Sequence, residues 1–540
     1  MAIPDSSCPV RRLRAFLFPA IGALVVLAWL NRFIQDDAFI SFRYARNLAR
    51  GLGLVWNPGE RVEGYTNFLW TVLMAIPHKL GMSPVGFSFG LGFVLFGFSL
   101  YLTYRVAKKV LGSDGPALLA VVLLGTNYTF SAFATSGMET QLQAFLFVLA
   151  VLLFLRLGGQ GSTVSSELFF SLVLGLAVLT RPDSGLLVVI LLPLALRRLR
   201  QKRDGRIRGL LALCLPLVVV VGPWLVWKLT FYGRLFPNTL YAKSPDPVSL
   251  LRGVFYFAAF VVMYLLFLLL PWAVQAGRRL LRLRDPKLLV LSAVTGLWFA
   301  YVLVFGGDFM QFRMLVPVMP FLFILIAWTL CSVVRSRGLR AGLIGVILAG
   351  SVFCGVVHGR GVFNRGTESV RRLAEHVTLV SENWAGIGSV LGRAFGGDSS
   401  VLIATTAAGA IPYYSDLRTL DMLGLNDPWV ARHGRHLTSH AGHRRIATLD
   451  YLVSKGVNLV IGHPVMVNSD SEAGAVRLRW LVQGLEPSDR VPESARLVEI
   501  PIDRGYRLVA LYLVKSERVD SVIARQGWRV WPVPPYGDPR

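Results

Sequence analysis

Two carboxylates stand side by side in the stretch FIQDDAFISFRYARNL, directly after a run of apolar residues. If a helix begins near Asp36, then Asp36 and Asp37 occupy its first turn, where the helix dipole favours negative charge. Three arginines then share one face of that helix, Arg43, Arg46 and Arg50. Plain N-terminal capping with arginines that snorkel to a membrane surface fits the same spacing, so the pattern alone does not decide between structure and chemistry.

The chemistry open to such a segment depends on the side of the membrane that it occupies. An enzyme that works outside the cell has no nucleotide sugars and must use a lipid-linked donor. Transfer from a polyprenyl-phosphate sugar requires a carboxylate that takes the proton of the acceptor hydroxyl. It also requires fixed cations that stabilise the departing lipid phosphate. The acid pair and the arginine face would meet both requirements.

The composition places this segment in a membrane protein. The chain has 540 residues, of which 54% are hydrophobic and 16% charged, and its mean hydropathy is +0.55. Apolar runs near twenty residues recur through the first two thirds, as membrane-spanning helices require. The net charge of +25 is explained by basic loops between apolar runs rather than by nucleic-acid binding. Four scattered cysteines predict neither a disulfide framework nor a zinc site.

The basic loops predict the topology. The positive-inside rule places the N-terminus and the loops 105–109, 197–208, 278–287 and 335–340 in the cytoplasm. This requires segment 67–80 to be an interfacial or re-entrant helix. Eleven spans then satisfy every basic loop: 15–33, 83–104, 115–133, 141–157, 167–180, 184–196, 209–230, 253–275, 288–305, 314–334 and 341–358. The first is predicted to be an uncleaved span rather than a signal peptide.

The character of the chain changes after residue 358. Charged residues return and apolar runs shrink to strand length, which predicts a soluble α/β domain over 359–540. Strands are predicted in 400–405, 451–462 and 506–517, and a helix over 369–384. We therefore expect an all-α polytopic membrane domain over 1–358, with residues 34–82 as its first outer loop. An odd number of spans places the C-terminal domain outside the cytoplasm.

One long block of sequence resembles a known family. Residues 36–70, DDAFISFRYARNLARGLGLVWNPGERVEGYTNFLW, are similar to the first outer loop of bacterial GT-C glycosyltransferases. The nearest group is the terminal β-(1→2)-arabinofuranosyltransferase family of the mycobacterial cell wall. Further blocks resemble the same group: SGMET, LTRPD, YGRLFPNTLYAK, GGDFMQFRMLVP and AGAIPYYSDLRTLDMLGLND. The resemblance implies a GT-C fold, a polyprenyl-phosphate sugar donor, and Asp36 or Asp37 as the catalytic acid, with Asp36 corresponding to the first acid of the Asp-Glu motif common in such enzymes.

The mechanistic hypothesis is a single inverting displacement in which Asp36 or Asp37 deprotonates the acceptor. Candidates for binding the donor phosphate are Arg43, Arg46, Arg181, Arg234, Lys243 and Arg313. Candidates for binding the sugars are Glu60, Glu63, Tyr65, Glu139, Asn238, Tyr241 and Asp308. For the carboxylates a structural role in the loops, and for the aromatic rings an interfacial anchor, are the competing interpretations.

Several alternatives stay open. His433, His436 and His440 would share a helical face and could bind zinc, although a surface loop or an acceptor-binding loop is the favoured interpretation. The acid pair could hold a divalent metal, but no cofactor is required by the sequence. The donor sugar could be arabinofuranose, mannose or another pentose, and the acceptor a cell-envelope glycan or lipid. A transporter or flippase and a non-catalytic scaffold are the two rival classes. The expected location is the bacterial inner membrane, with the C-terminal domain periplasmic or extracellular.

Overall fold

The computed structural model describes residues 15–157, 163–200, 206–243, 247–360, 366–440, 443–464, 466–468, 491–503 and 505–533. The chain divides into two compact units. The first contains Met1–Phe33, Gly86–Trp227 and Pro245–Val370, and the second contains Ile34–Val85, Lys228–Ser244 and Arg371–Arg540. The predicted division at residue 358 assigns the first outer loop to the membrane domain, whereas residues 34–85 belong here to the unit that holds the C-terminal domain.

The first unit is helical. Its helices are α1 (Leu17–Leu30), α4 (Pro84–Leu111), α5 (Asp114–Gly125), α6 (Tyr128–Ala132), α7 (Thr140–Phe154), α8 (Val164–Thr180), α9 (Gly185–Arg200), α10 (Arg206–Tyr232), α12 (Ser249–Met263), α13 (Leu270–Leu283), α14 (Pro286–Phe305), α15 (Met319–Ser332) and α16 (Arg337–Val357). Helices α4 and α10 extend beyond the unit at one end. Each of the eleven predicted spans coincides with at least one of these helices.

By length and composition, five helical stretches among the described residues can cross a membrane, or six if one bent pair counts as a single span. The chain is a multi-pass membrane protein, and the predicted number of eleven spans stays a prediction. The predicted span 253–275 is not a continuous helix, because α12 and the segment Leu266–Leu283 meet at 82°. Leu265 at this break has a φ of 55°, which a branched side chain adopts only when its surroundings hold it there.

The second unit combines the first outer loop with an α/β domain. The loop supplies α2 (Asp36–Ala49) and α3 (Phe68–Lys79), which confirms a short helix in segment 67–80, and residues 228–244 supply α11 (Asn238–Ala242). Ser41 on α2 and Thr71 on α3 both donate hydrogen bonds to the Asn67 side-chain oxygen, at 3.2 and 3.0 Å. This buried polar junction fixes the two helices of the loop against each other.

The α/β domain is built on a mixed sheet. Its strands are β1 (Leu402–Thr405), β2 (Arg418–Asp421), β5 (Leu459–Gly462), β6 (Met466–Asn468), β7 (Arg496–Asp503), β8 (Tyr506–Tyr512) and β9 (Arg529–Pro532). The order is β2-β1-β5-β8-β7-β9, with β6 paired to β8. Strand β1 runs parallel to β2 and β5, and the remaining pairs are antiparallel. A core of apolar side chains that includes Ala404, Val460 and Leu511 covers the sheet.

Helices and one hairpin complete the domain. The helices are α17 (Val370–Thr378), α18 (Trp384–Phe395), α19 (Ala410–Ser415), α20 (Val430–His433), α21 (Leu449–Ser454) and α22 (Glu517–Gln526), and the hairpin joins β3 (Arg435–His440) to β4 (His443–Ile446). The strands predicted at 400–405 and 506–517 are confirmed. The prediction of one strand over 451–462 is wrong in its first half, because Thr448 caps α21 there and Gly456 turns the chain at a φ of +72° before β5.

Candidate active site

The acid pair lies at the start of α2, as predicted. The side chain of Gln35 accepts a hydrogen bond from the Asp36 amide and caps the helix, and both acids belong to the first turn. Asp36 is buried with 5% of its surface exposed, while Asp37 is half-buried. The two neighbouring acids therefore have different environments although they share one turn.

The carboxylate of Asp36 binds the segment that follows strand β1. Its Oδ2 accepts a hydrogen bond from the amide of Gly409 at 3.1 Å, and its Oδ1 accepts one from the amide of Ala410 at 2.7 Å. Burial raises the pKa of Asp36 to about 7. The Ala410 amide opposes this rise, the charge of Asp37 adds to it, and the Gly409 amide and His376 oppose it more weakly.

Gly409 is the residue that allows this close approach. A Cβ atom at position 409 would lie 1.9 Å from the backbone oxygen of Asp36 and 2.7 Å from its Cγ. Both atoms are held by the first turn of α2, so neither can move aside without displacing the acid pair. The loop after β1 thus fits the acidic turn only because residue 409 has no side chain.

Arg43 is fully buried and bound to the protein itself. Its guanidinium donates to the carbonyl oxygens of Trp56 at 2.8 Å and Leu417 at 2.7 Å, to the Asn57 side chain at 3.1 Å, and to the carbonyl oxygen of Pro412. These bonds use four of the five N–H donors of the side chain. In this structure Arg43 anchors the loop, so we leave it out of the donor-binding set proposed below.

Arg46 and Arg50 point to the same carboxylate. Arg46 forms an ion pair of 2.6 Å with Asp416 and lies over the ring of Tyr413. Arg50 binds the other oxygen of Asp416 at 2.8 Å. Asp416 follows α19 and was not among the predicted site residues, because 370 positions separate it from Arg46.

The predicted sugar-binding residues of the first loop also have protein partners. Glu60 pairs with Arg418 at 3.1 Å near the surface, and the hydroxyl of buried Tyr65 lies 3.2 Å from that of Tyr232. Glu63 forms a buried ion pair of 2.9 Å with Lys228. Burial raises the pKa of Glu63 to about 7, although the charge of Lys228 opposes this rise.

Residues 234–243 lie in the same unit. The amide side chain of Asn238 donates to the carbonyl oxygens of Gly424 and Leu425 at 2.8 and 3.1 Å, which fixes α11 on the loop after β2. The guanidinium of Arg432 lies 4.4 Å from the ring centre of Tyr241. Arg234 is exposed and Lys243 half-buried, and among the described residues no acid forms an ion pair with either.

A second polar cluster lies in the helical unit. Arg181, at the end of α8, forms ion pairs with Glu139 at 2.8 Å and with Asp183 at 2.7 Å. Asp183 also accepts hydrogen bonds from Gln143 at 2.9 Å and Tyr301 at 3.2 Å. Sequence reasoning missed Asp183 as a site residue, although it stands in the TRPD block, because a charge two residues from an arginine has no distinctive spacing.

Arg313 completes this cluster. It forms an ion pair of 2.5 Å with Asp308 and lines a small depression together with Glu139, Thr140, Gln143, Arg181, Asp183, Trp298, Met314 and Pro317. Two arginines are thus accompanied by three carboxylates, Glu139, Asp183 and Asp308. Both arginines of the cluster therefore already have carboxylate partners within the protein.

The predicted residues are therefore divided between the units. The helical unit holds Glu139, Arg181, Asp308 and Arg313, and the second unit holds Asp36, Asp37, Arg43, Arg46, Glu60, Glu63, Tyr65, Arg234, Asn238, Tyr241 and Lys243. Contacts with Gly409, Ala410, Asp416 and Lys228 were not foreseen. Local spacing in the sequence does not predict partners that lie hundreds of residues away in the chain.

The histidines do not lie on one helix, so the zinc site that depended on helical spacing is wrong. His433 ends α20, whereas His436 and His440 belong to strand β3, so the three do not share a helical face. Within the described residues, no group of three or more His, Cys, Asp or Glu side chains is arranged to hold a metal ion.

The comparisons with known proteins agree with the resemblance found in the sequence. The chain is 29% identical over 410 residues to the terminal β-(1→2)-arabinofuranosyltransferase of Corynebacterium glutamicum, a match that covers 66% of this chain and 56% of that protein. It is 28% identical over 297 residues to the Mycobacterium tuberculosis protein of the same name, covering 50% and 45%. The chain thus spans about half the length of these curated relatives.

A solved structure shares the fold. The crystal structure of ArnT from Cupriavidus metallidurans bound to undecaprenyl phosphate superposes with a TM-score of 0.57 at 14% identity, covering 93% of this chain and 99% of that one. The predicted fold class is confirmed: a helical membrane protein of GT-C fold with a C-terminal α/β domain. Residues 375–531 match a family model described as a domain of unknown function, DUF8728.

Proposed function

We propose that this protein is an inverting membrane glycosyltransferase that moves a sugar from a polyprenyl-phosphate donor to a cell-envelope glycan or lipid. The observation that carries the proposal is the acid pair at the start of α2, with Asp36 held by two backbone amides. The similarity to two named arabinofuranosyltransferases supports the reaction class and favours arabinofuranose as the sugar. We place the reaction on the outer face of the bacterial inner membrane, where lipid-linked donors replace nucleotide sugars.

The proposed reaction is one displacement at the anomeric carbon. A carboxylate of the acid pair takes the proton of the acceptor hydroxyl, and the hydroxyl oxygen forms a bond to the anomeric carbon. The bond between that carbon and the phosphate oxygen breaks on the opposite face of the sugar. The electron pair leaves with the lipid phosphate, so the configuration at the anomeric carbon is inverted.

The departing phosphate requires cations that the protein has not already neutralised. Arg234 and Lys243 fit this role, because no acid in the described part of the chain forms an ion pair with them. Arg181 and Arg313 are accompanied by three carboxylates, and Arg46 shares Asp416 with Arg50. We therefore assign Arg234 and Lys243 to the donor phosphate first, and the other three arginines second.

The experiment uses the purified full-length protein in detergent. Farnesyl-phosphate donors that carry arabinofuranose or mannose are each incubated with an arabinofuranosyl oligosaccharide acceptor, and products are identified by mass spectrometry and by the anomeric coupling in NMR. We expect transfer from the arabinofuranosyl donor, with inversion. Transfer from the mannosyl donor alone would correct the sugar. Lack of transfer from both donors, while membranes of the source cells catalyse transfer from them, would overturn the proposal.

A further inference from the structure

The two adjacent acids differ in direction and in burial. Successive residues of an α-helix point about 100° apart, and Asp36 and Asp37 are neighbours in the first turn of α2. Asp36 is buried against the loop after β1 with 5% of its surface exposed, while Asp37 keeps a larger exposed fraction. The structure therefore separates two residues that residue type and spacing alone leave equivalent.

The side chain of Asp36 joins helix α2 to the segment after strand β1, and both belong to the second unit. Each of its carboxylate oxygens accepts a backbone amide hydrogen bond, from Gly409 and from Ala410. Hydrogen bonds from amides to an ionised carboxylate are among the stronger ones in proteins. The absence of a side chain at Gly409 allows the two surfaces to meet. An acceptor hydroxyl would have to reach a buried carboxylate whose two oxygens each already accept an amide hydrogen bond from the domain.

We propose that Asp37 is the catalytic base and that Asp36 is a positioning residue, held by Gly409 and Ala410 of the α/β domain. The proposal rests on the glycosyltransferase function proposed above and assigns the roles within its acid pair. It reverses the order that the family resemblance favours. The α/β domain then contributes to catalysis although its backbone amides touch no substrate.

The assignment fixes where the proton goes. The Asp37 carboxylate takes the proton of the acceptor hydroxyl as the new bond to the anomeric carbon forms and the lipid phosphate leaves. Asp36 exchanges no proton with substrate in this step. Its contribution is geometric, because a first turn that shifts by about 1 Å can lower the rate about 100-fold.

The test compares Asp37→Asn, Asp36→Asn and Gly409→Ala in the full-length protein with the arabinofuranosyl donor and acceptor described above. Asp37→Asn is expected to lower kcat about 1,000-fold, as the loss of a general base does. Asp36→Asn and Gly409→Ala are each expected to lower kcat about 10- to 100-fold, with donor KM within about twofold. The double variant of positions 36 and 409 should lose no more than either single variant, because both remove the same contact.

Asp421→Asn is the matched control. Asp421 is another buried carboxylate of the domain, at the end of β2, and it accepts hydrogen bonds from the backbone amides of Leu423 at 2.9 Å and Asn426 at 2.8 Å. Its loss should lower thermal stability as Asp36→Asn does and leave kcat within about twofold of wild type. A fall in kcat equal to that of Asp36→Asn would show that any buried carboxylate of the domain matters equally, which would overturn the positioning role.

A second measurement is independent of substrate. Hydrogen exchange of the Gly409 and Ala410 amides in the full-length protein should accelerate at least tenfold in Asp36→Asn and stay unchanged in Asp37→Asn. Unchanged protection of these amides in Asp36→Asn would show that Asp36 does not hold the segment after β1. A kcat loss in Asp36→Asn as large as in Asp37→Asn, or larger, would overturn the assignment of the base. Inactive wild type would instead overturn the proposed function, while the exchange result still decides the role of Asp36.

Discussion

Glu63 and Lys228 form an ion pair of 2.9 Å in which both side chains are almost completely buried. Burying two charges is costly, and the cost is recovered only while both partners are present. Removing either one leaves a buried charge without its partner. The pair joins the first loop to the end of α10 within one unit, so its loss would loosen that junction.

We expect Glu63→Leu and Lys228→Met to lower the free energy of unfolding by about 3–5 kcal/mol each. The double variant should lose less than either single variant, because it leaves no buried charge. Unfolding of the detergent-solubilised protein, followed by circular dichroism, measures all four members of the cycle. Strictly additive losses would show that the two groups do not act as a pair.

Arg43 should be far less tolerant of substitution than Arg50. Arg43→Lys keeps the charge but gives up most of four buried hydrogen bonds, which at about 1 kcal/mol each predicts a loss of about 2–3 kcal/mol. Arg50 has 48% of its side chain exposed, so Arg50→Lys is the control and should be nearly neutral. Thermal unfolding of both variants measures the difference, and equal effects would contradict the anchoring role.

The pH dependence of kcat should reflect the protonation of the Asp36 carboxyl group. With a pKa of about 7, its carboxyl takes up a proton as pH falls through 7, and the neutral carboxyl accepts the amide hydrogen bonds more weakly than the ionised one. We expect kcat to fall with decreasing pH through about 7, and this limb should be absent in Asp36→Asn. His376→Gln should move the limb to higher pH, because the charge of His376 lowers the pKa of Asp36, whereas the charge of Asp37 raises it.

The same shift predicts an opposite effect on stability. Between pH 4 and 7 the folded protein binds a proton at Asp36 that the unfolded chain does not bind. The free energy of unfolding should therefore decrease as pH rises through this range. The difference between wild type and Asp36→Asn isolates the contribution, and a difference that does not vary with pH would contradict the raised pKa.

The ion pairs of Asp416 should contribute modestly. Asp416 has 37% of its side chain exposed and a φ of 55°, a conformation that asparagine also tolerates. Asp416→Asn thus removes the charge without straining the backbone. We expect a loss of about 1 kcal/mol or less in unfolding, reduced further in 1 M salt. A loss that persists in high salt would indicate that hydrogen bonding rather than charge is responsible.

Arg234→Gln and Lys243→Gln should raise the donor KM. Each cation would hold the lipid phosphate of the bound donor and stabilise it more strongly as it departs, so KM should increase and kcat should fall about tenfold. Arg371→Gln is the control, since Arg371 is 67% exposed and paired with Glu375 on its own helix. An unchanged donor KM in both variants would remove these residues from the donor site.

Local patterns in the sequence predicted the acidic turn at Asp36, the helix of segment 67–80 and the strands β1 and β8. These depend on composition and spacing within a few turns of chain. The α12–α13 break was not predictable in this way, because hydropathy over 253–275 is continuous and the bend arises at Leu265. The partners of Asp36, Arg43 and Glu63 were likewise hidden, since a buried polar group is satisfied by whatever the fold brings to it.

The contact between Asp36 and Gly409 can form only late in the synthesis of the chain. The two residues are 373 positions apart, so at 5–20 residues per second the acidic turn is made about 20–75 s before its partner. During that interval the buried arginine and the apolar face of α2 lack the surface that covers them. Helix α2 and its acidic turn therefore stay incompletely covered until the last third of the chain is being synthesised.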